Sequence, residues 1–444
     1  MFPLSSRWRS IVPRLFVLAA CATPTLWAAE SSTGLAATAT ATPAPRWDLS
    51  DLAQQLIDHN PQLLAARHAA RANRLGVGPA SAPDNPTVTV GQDPVSKNPL
   101  AWNTSQGASW TLSQNLYWPG KKALAGEVVA AQATAAEAQT MGLQSQLMGQ
   151  LRATWLAWQA AQGQLRLTEA QLARLEQIKQ ITKVRYANNA AAFADYINAQ
   201  VTQEQIRTTL LTTQMQADTL MAQLAALVGH PTTGALPLQV VALQTRQEVP
   251  ALSTFREATL QRNPQLKASA AAVQAAERGV ALAELGSRPD FNVAVTGHSA
   301  NPPWGLANTP TYGMSVGMTF PLWYGRKEKA LLDQAKAQLA SVRELDESQQ
   351  QQALLAVNTA WLQWTQSLEQ LRLIEASLLE QARVAYRLAL SNYSTGQVPY
   401  VDVLNAFNTE RSVELAAVQA RSSALAARVA LDTAVGEADL PTTP

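Results

Sequence analysis

At 444 residues the chain is long enough for two or three ordinary domains, so core size does not limit it. Only 15% of its residues are charged and 6% aromatic, a composition that favours long helices packed through small side chains over a mixed α/β enzyme core. The formal charge is +2, but three arginines and no acid fall in the first 29 residues. Beyond them 31 basic residues face 32 acidic ones, and the resulting charge of −1 removes the electrostatic case for nucleic-acid binding.

Residues 1–29 read as an export signal: Arg7, Arg9 and Arg14 form a basic region, Leu15 to Ala20 an apolar one, and Pro24 to Ala29 a cleavage region. Mean hydropathy is −0.09, and no later apolar run approaches the length of a membrane-spanning helix. Cys21 is the single cysteine, so no disulfide can form within one chain. Leu18-Ala19-Ala20-Cys21 resembles a lipobox, which would make Cys21 a lipidation site. The competing reading is cleavage near Ala28 with Pro24 as the helix breaker and Cys21 discarded. Residues 30–46, rich in Ser, Thr, Ala and Pro, form a flexible lead-in.

The rest of the chain is an internal repeat. Asn60-Pro61-Gln62-Leu63 returns as Asn263-Pro264-Gln265-Leu266 at an offset of 203. Trp155-Leu156-x-Trp158 and Leu165-Arg166-Leu167 return at 206 as Trp361-Leu362-x-Trp364 and Leu371-Arg372-Leu373. Tyr186, Asp195, Asn198 and Val228-Gly229 match Tyr393, Asp402, Asn405 and Val435-Gly436 at 207. The collinear set bounds repeat 1 at 47–229 and repeat 2 at 251–438. A Pro/Gly-rich linker over 230–250 joins them.

Each copy is expected to open with one helix, over 47–76 and 251–286, N-capped by Asp48 or Ser50 and by Ser253. Alternating strands follow. Val88 and Val90, then Trp110, Leu112, Leu116 and Trp118, oppose Ser109, Thr111, Ser113 and Asn115. In copy two, Phe291, Val293 and Val295, then Tyr312, Met314, Val316, Met318 and Phe320, alternate with Thr, Ser, Gly and Asn. A polar face of Gly, Ser and Thr, with aromatics near the strand ends, is the pattern of a membrane barrel. Four strands cannot close one, and an open edge is forbidden in lipid, so the chain must oligomerise; three copies supply twelve strands.

Proline-free helical patterns run from 121 to 187 and from about 325 to 394, each roughly 100 Å long and stable only in bundles or coiled coils. Gln132, Gln139 and Gln146 mark one polar stripe, which either lines a water-filled duct or is merely solvated. Each long helix turns back through Tyr186…Asn189 or Tyr393…Gly396, with Asn189 and Gly396 at the left-handed position. Asp195 and Asp402 fall in the first turn of the returning helices, where a carboxylate suits the helix dipole.

The twofold repeat, the Asn-Pro-Gln-Leu openings and the Tyr393-x-x-Gly396…Asp402-Val403-Leu404 turn resemble the TolC family of outer-membrane efflux channels over residues 47–438. Ser113-Gln114-x-Leu116-x-Trp118-Pro119-Gly120-Lys121 is similar to the barrel-to-helix junction of the heavy-metal efflux subgroup. The resemblance implies a mainly α fold with membrane β-hairpins, assembled as a homotrimer. Its twelve-stranded barrel would sit in the lipid of a Gram-negative outer membrane, above a long periplasmic α-helical barrel. It further implies a periplasmic adaptor and an inner-membrane pump that dock at tips carrying Tyr186, Asn189, Asp195, Tyr393, Gly396 and Asp402. The family's acidic constriction is not carried over, because Arg383 and Arg387 precede Tyr393 here, with Glu375 and Glu380 further back.

No catalytic set, phosphate loop or metal-spaced cluster is present; His59, His68, His230 and His298 are scattered, and Trp155/Trp158 and Trp361/Trp364 read as packing anchors. The chain therefore reads as a passive export duct without cofactor, for metal ions or drugs. A duct for protein secretion is the alternative within transport. A periplasmic coiled-coil adaptor is the alternative outside it, disfavoured by the four amphipathic strands.

Overall fold

A computed structural model of the chain describes residues 47–93, 107–230, 236–241, 248–300, 311–320 and 322–436. The export signal with Cys21, the lead-in, both hairpin loops and parts of the linker lie outside the described residues. Repeat 1 contains α1 (Leu49–His59), α2 (Pro61–Leu75), α3 (Val77–Ser81), β1 (Thr87–Asp93), β2 (Gly107–Leu116), α4 (Lys121–Ala187) and α5 (Phe193–Leu227). Repeat 2 contains α6 (Leu252–Arg262), α7 (Pro264–Glu284), β3 (Phe291–Ala300), β4 (Thr311–Met318), α8 (Glu328–Leu373), α9 (Leu379–Ser394) and α10 (Tyr400–Val435).

The single opening helix expected in each copy is in fact two. Asn60 (φ −67°, ψ 119°) and Asn263 (φ −58°, ψ 118°) are extended, because the following proline excludes the helical region for the residue before it. Proline then takes the first helical position, where its missing N–H costs nothing. Asp48 caps α1 in a reciprocal box with Asp51. Ser253 does not cap α6: the cap position is Ala251, which supplies no side-chain bond.

Each asparagine also closes its repeat. Asn60 Oδ1 accepts from Leu63 N–H at 3.0 Å while its Nδ2 donates to Leu227 O, at the end of α5, at 2.8 Å. Asn263 does the same with Gln265 N–H and Ala434 O, both at 2.8 Å. The glycines that follow, Gly229 (φ 73°) and Gly436 (φ 89°), lie against these breaks. A Cβ on Gly229 would stand 2.5 Å from His59 O, and one on Gly436 2.7 Å from Pro264 Cδ. The Asn-Pro and Val-Gly motifs are thus two halves of one joint, used twice.

α4 runs 67 residues without interruption, about 100 Å. Its counterpart is not continuous as expected: α8 and α9 are joined by a π-helical turn, Ile374–Leu378. A π turn accommodates one extra residue. The repeat offset accordingly steps from 206 at Leu371 to 207 at Tyr393.

The strands form one antiparallel sheet in the order β1-β2-β3-β4. In register, Val88 and Val90 pair Leu112 and Trp110, which pair Val295 and Gly297, which pair Met314 and Tyr312. One face therefore carries Val, Leu, Trp, Phe, Met and Tyr, and the other Thr, Ser, Gly, Asn and His. No segment of the described chain covers the apolar face: Val88, Val90, Leu112, Tyr312, Val316 and Met314 (74% exposed) are all open.

The helical core is a chain of clusters along the long helices. Trp158 packs with Leu52, Leu56 and Leu224 near the first joint, and Trp364 with Phe255, Leu431 and Val435 near the second. These tryptophans are packing anchors; the Phe255 and Trp364 rings meet edge-on at 6.5 Å. Part of the linker is ordered. Leu238 bridges to Trp47, and the buried Gln159 side chain donates to Gln239 O at 2.7 Å and accepts from Val241 N–H at 3.1 Å.

Candidate functional site

Two regions stand out as functional surfaces: the sheet with its junction to the helices, and the pair of helical turns at the far end of α4 and α9. At the junction, Lys121 at the start of α4 pairs with Asp290 before β3 at 2.8 Å, and Asp290 also accepts from Trp118 N–H at 3.0 Å. One carboxylate thereby ties repeat 2's strands to repeat 1's helix. Trp118 stacks on Phe291, with the Arg288 guanidinium over its ring, while Trp110 meets Tyr312 edge-on at the other end of the sheet. Eight residues separate Trp110 from Trp118. That is about 26 Å if the chain is extended throughout.

At the far end, both turns use the same backbone device. Asn189 N–H donates to Tyr186 O and Ala190 N–H to Arg185 O. Gly396 N–H donates to Tyr393 O and Gln397 N–H to Asn392 O. Asn189 (φ 54°) and Gly396 (φ 86°) take the left-handed position that ends such helices. Asparagine tolerates that conformation at some cost and glycine at none. Asp195 and Asp402 lie in the first turns of α5 and α10, Asp402 exposed and Asp195 half-buried.

The two tyrosines, equivalent in sequence, are not equivalent in space. Tyr393 is buried, its hydroxyl 3.2 Å from Thr182 Oγ1, and it packs with Tyr400, Val403 and Phe407 against Leu175 and Ile178 of α4. Tyr186 is exposed, its ring 5.4 Å from that of Phe193 and tilted to it by 47°. Tyr393 thus supports the turn from inside and presents no ring to a partner.

Arg185 holds the two turns together. Its guanidinium donates to Tyr393 O through Nη1 and to Ala190 O at 3.0 Å through Nη2, and lies 4.6 Å over the Tyr393 ring. Sequence reasoning missed this residue because its repeat equivalent is Asn392, so the repeat does not flag it.

About three helical turns back, Arg174 reaches two buried carboxylates one turn apart on α10, Glu410 and Glu414, each at 3.2 Å. Gln171 Nε2 donates to Glu414 at 3.2 Å, and Arg383 of α9 lies 3.9 Å from it. Burial raises the Glu410 carboxyl above its ordinary value, opposed by the Arg174 charge. Burial likewise pushes the Tyr386 and Tyr400 hydroxyls up to about 12. Among the basic residues expected near the constriction, Arg387 pairs with Glu380 at 3.3 Å in solvent, and Glu375 pairs with Arg421. Gln132, Gln139 and Gln146 are all exposed on α4, beside a buried seam of Ala133, Ala135 and Ala138.

The model of the outer membrane efflux protein family matches residues 52–230 and 256–437. The chain belongs to that family. Among its relatives, the pyoverdine export outer membrane protein OpmQ of Pseudomonas putida is 26% identical over 97% of this chain and 98% of its own length. The outer-membrane channel OprN superposes with a TM-score of 0.75 at 19% identity, covering 87% of this chain and 89% of its own. VceC of Vibrio cholerae does so with a TM-score of 0.75 at 18% identity, covering 87% and 96%. As an outer membrane efflux protein the chain is not an enzyme, and it resides in the outer membrane of a Gram-negative bacterium.

Proposed function

We propose that the chain is the outer-membrane duct of a tripartite efflux system, a passive conduit that three copies form together. The observation that carries this is the sheet: four strands with one face mainly apolar and uncovered, the other mainly Thr, Ser, Gly and Asn, and with β1 and β4 as free edges. In lipid such edges must pair, and β4 of one copy against β1 of the next closes twelve strands around a polar lumen. The 67-residue α4 and the matching α8–α9 run then continue the tunnel into the periplasm, with the Gln132, Gln139 and Gln146 stripe as candidate lining.

The turns at Asn189 and Gly396, flanked by Asp195 and Asp402, face away from the sheet. They form the docking end for a periplasmic adaptor carrying an inner-membrane pump. The pump supplies the energy. Cargo is a small solute: a metal ion, a drug, or a compound such as the pyoverdine for whose export the OpmQ relatives are named.

Cell fractionation with unheated gel electrophoresis tests the assembly, and conductance of the purified protein in planar bilayers tests the duct. Recovery of a soluble monomer from the periplasm would defeat the reading.

A further inference from the structure

The two strand-to-helix junctions differ by three residues. Trp118-Pro119 returns as Phe320-Pro321 at an offset of 202, and Gly120-Lys121-Lys122 as Gly325-Arg326-Lys327 at 205. Copy two therefore carries an insertion, Leu322-Trp323-Tyr324, made of apolar and aromatic residues alone. None of the three is packed away: Leu322 is 83% exposed, Trp323 70% and Tyr324 47%. The insertion is nevertheless wound into a definite turn. Trp323 O accepts from Arg326 N–H at 2.9 Å and from Lys327 N–H at 3.0 Å, and Tyr324 O from Lys329 N–H at 2.9 Å. It continues the exposed apolar row of Met314, Val316, Met318 and Phe320.

The charges of the two junctions differ as well. In copy one Lys121 pairs with Asp290 at 2.8 Å and Lys122 with Asp84 at 2.9 Å. In copy two Arg326, Lys327 and Lys329 are all exposed, and among the described residues none of them pairs with an acid. Asp290 is taken by Lys121, and Glu284, Glu328 and Asp333 of the flanking helices form no ion pair with the three. Lys327 and Arg288, whose guanidinium lies 5.6 Å over the Trp118 ring, border a cleft of about 580 Å³ together with Phe320 and Leu331.

We propose that this junction is a phospholipid site. Leu322, Trp323 and Tyr324 enter the boundary layer of the bilayer, and Arg326, Lys327 and Lys329 hold the phosphate of an anionic phospholipid in the leaflet at that end of the sheet. The inference rests on the membrane sheet proposed above. Water leaves both features costly, since the rings stay hydrated and three like charges repel within four residues. At a membrane surface both costs turn to gains: Trp and Tyr favour the level between hydrocarbon and headgroups, and basic side chains next to them meet the phosphates. Copy one does not repeat the site. Both of its lysines are spent on carboxylates, it lacks the insertion, and Trp118 stacks on Phe291. The lipid is thus bound once per chain, where it ties the start of α8 to the membrane.

Native mass spectrometry of the full-length oligomer tests the site, with release from micelles holding phosphatidylglycerol and phosphatidylcholine of the same acyl chains. Phosphatidylglycerol should be retained in preference, and the joint variant Arg326→Gln, Lys327→Gln, Lys329→Gln should lower that preference about tenfold or more. Arg71→Gln, Arg256→Gln and Lys267→Gln, made together at exposed positions away from the junction, should leave it unchanged. Equal loss in the two variants marks a diffuse charge effect and overturns the site. Displacement of the lipid by inorganic phosphate marks an ion site and overturns it too. The insertion is read separately in vesicles whose lipids carry bromine near the headgroup end of their chains. Tryptophan fluorescence of the parent should be quenched by a larger fraction than that of Trp323→Phe; equal fractions place the ring against protein and overturn its insertion. An unheated gel reports the oligomer: its absence defeats the assembly itself, while an intact oligomer without phosphatidylglycerol preference defeats only this site.

Discussion

Replacing Asn60 or Asn263 with alanine removes one side chain that makes two bonds of different kinds. Loss of the Oδ1 bond uncaps α2 or α7, at about 1 kcal/mol. Loss of the Nδ2 bond strands a carbonyl at the end of α5 or α10. Asn60 is 3% exposed and Asn263 9%, so water does not readily replace the donor, and the cost is about 1–3 kcal/mol. Each variant should therefore lose roughly 2–4 kcal/mol. In a repeat of this size that lowers the melting temperature by roughly 5–15 °C. The two sites share no hydrogen-bond partner, so the double variant should be additive within about 0.5 kcal/mol. Thermal melts of the detergent-solubilised protein by circular dichroism measure all three. Either single variant melting with the parent would refute the joint; Asn60→Asp keeps the cap acceptor but sets a buried carboxylate oxygen against Leu227 O in place of the donor, and should melt no higher than Asn60→Ala.

Three further outcomes are expected. Val316→Arg, on the apolar face, should cost about 2–4 kcal/mol at mid-membrane depth and lower the yield of folded oligomer. Ser315→Arg, one residue along on the polar face, should assemble and change ion selectivity in bilayers instead; equal yields of the two would contradict the facing of the sheet. Glu410 has its folded value raised by burial, so its contribution is present below the ordinary carboxylate value and is lost as pH rises through the raised one. Melting temperature should fall with rising pH across that window, and Glu410→Gln should flatten the fall; an unchanged slope sinks the account. Gly396→Val places a β-branched residue at φ 86°, costing about 1–2 kcal/mol in the second turn. Tip closure or adaptor docking should suffer while the unheated gel still shows the oligomer, and loss of the oligomer would contradict it.

Much of this architecture was legible in the amino-acid order, because it depends on local periodicity. Alternation at period two marked the four strands and both of their faces, and Asn189 and Gly396 were placed at the left-handed position by steric preference alone. Collinear offsets revealed the repeat, and even their drift from 206 to 207 held the π turn, although only the backbone shows the extra residue inside a helix. Proline after asparagine carried enough information to split both opening helices, and reading hydrophobic period without that steric rule merged them.

Contacts between distant segments had no such local signature. Arg185 reaches a carbonyl 208 residues away, and Arg174 meets Glu410 and Glu414 across two helices. Each pairing breaks the repeat instead of following it. The sequence made Tyr186 and Tyr393 equals; packing made one a buried strut and left the other facing out. That difference is decided by what stands opposite each ring. Repeat 1 stands opposite the second, whereas the first meets Phe193 of its own repeat and is left 45% exposed.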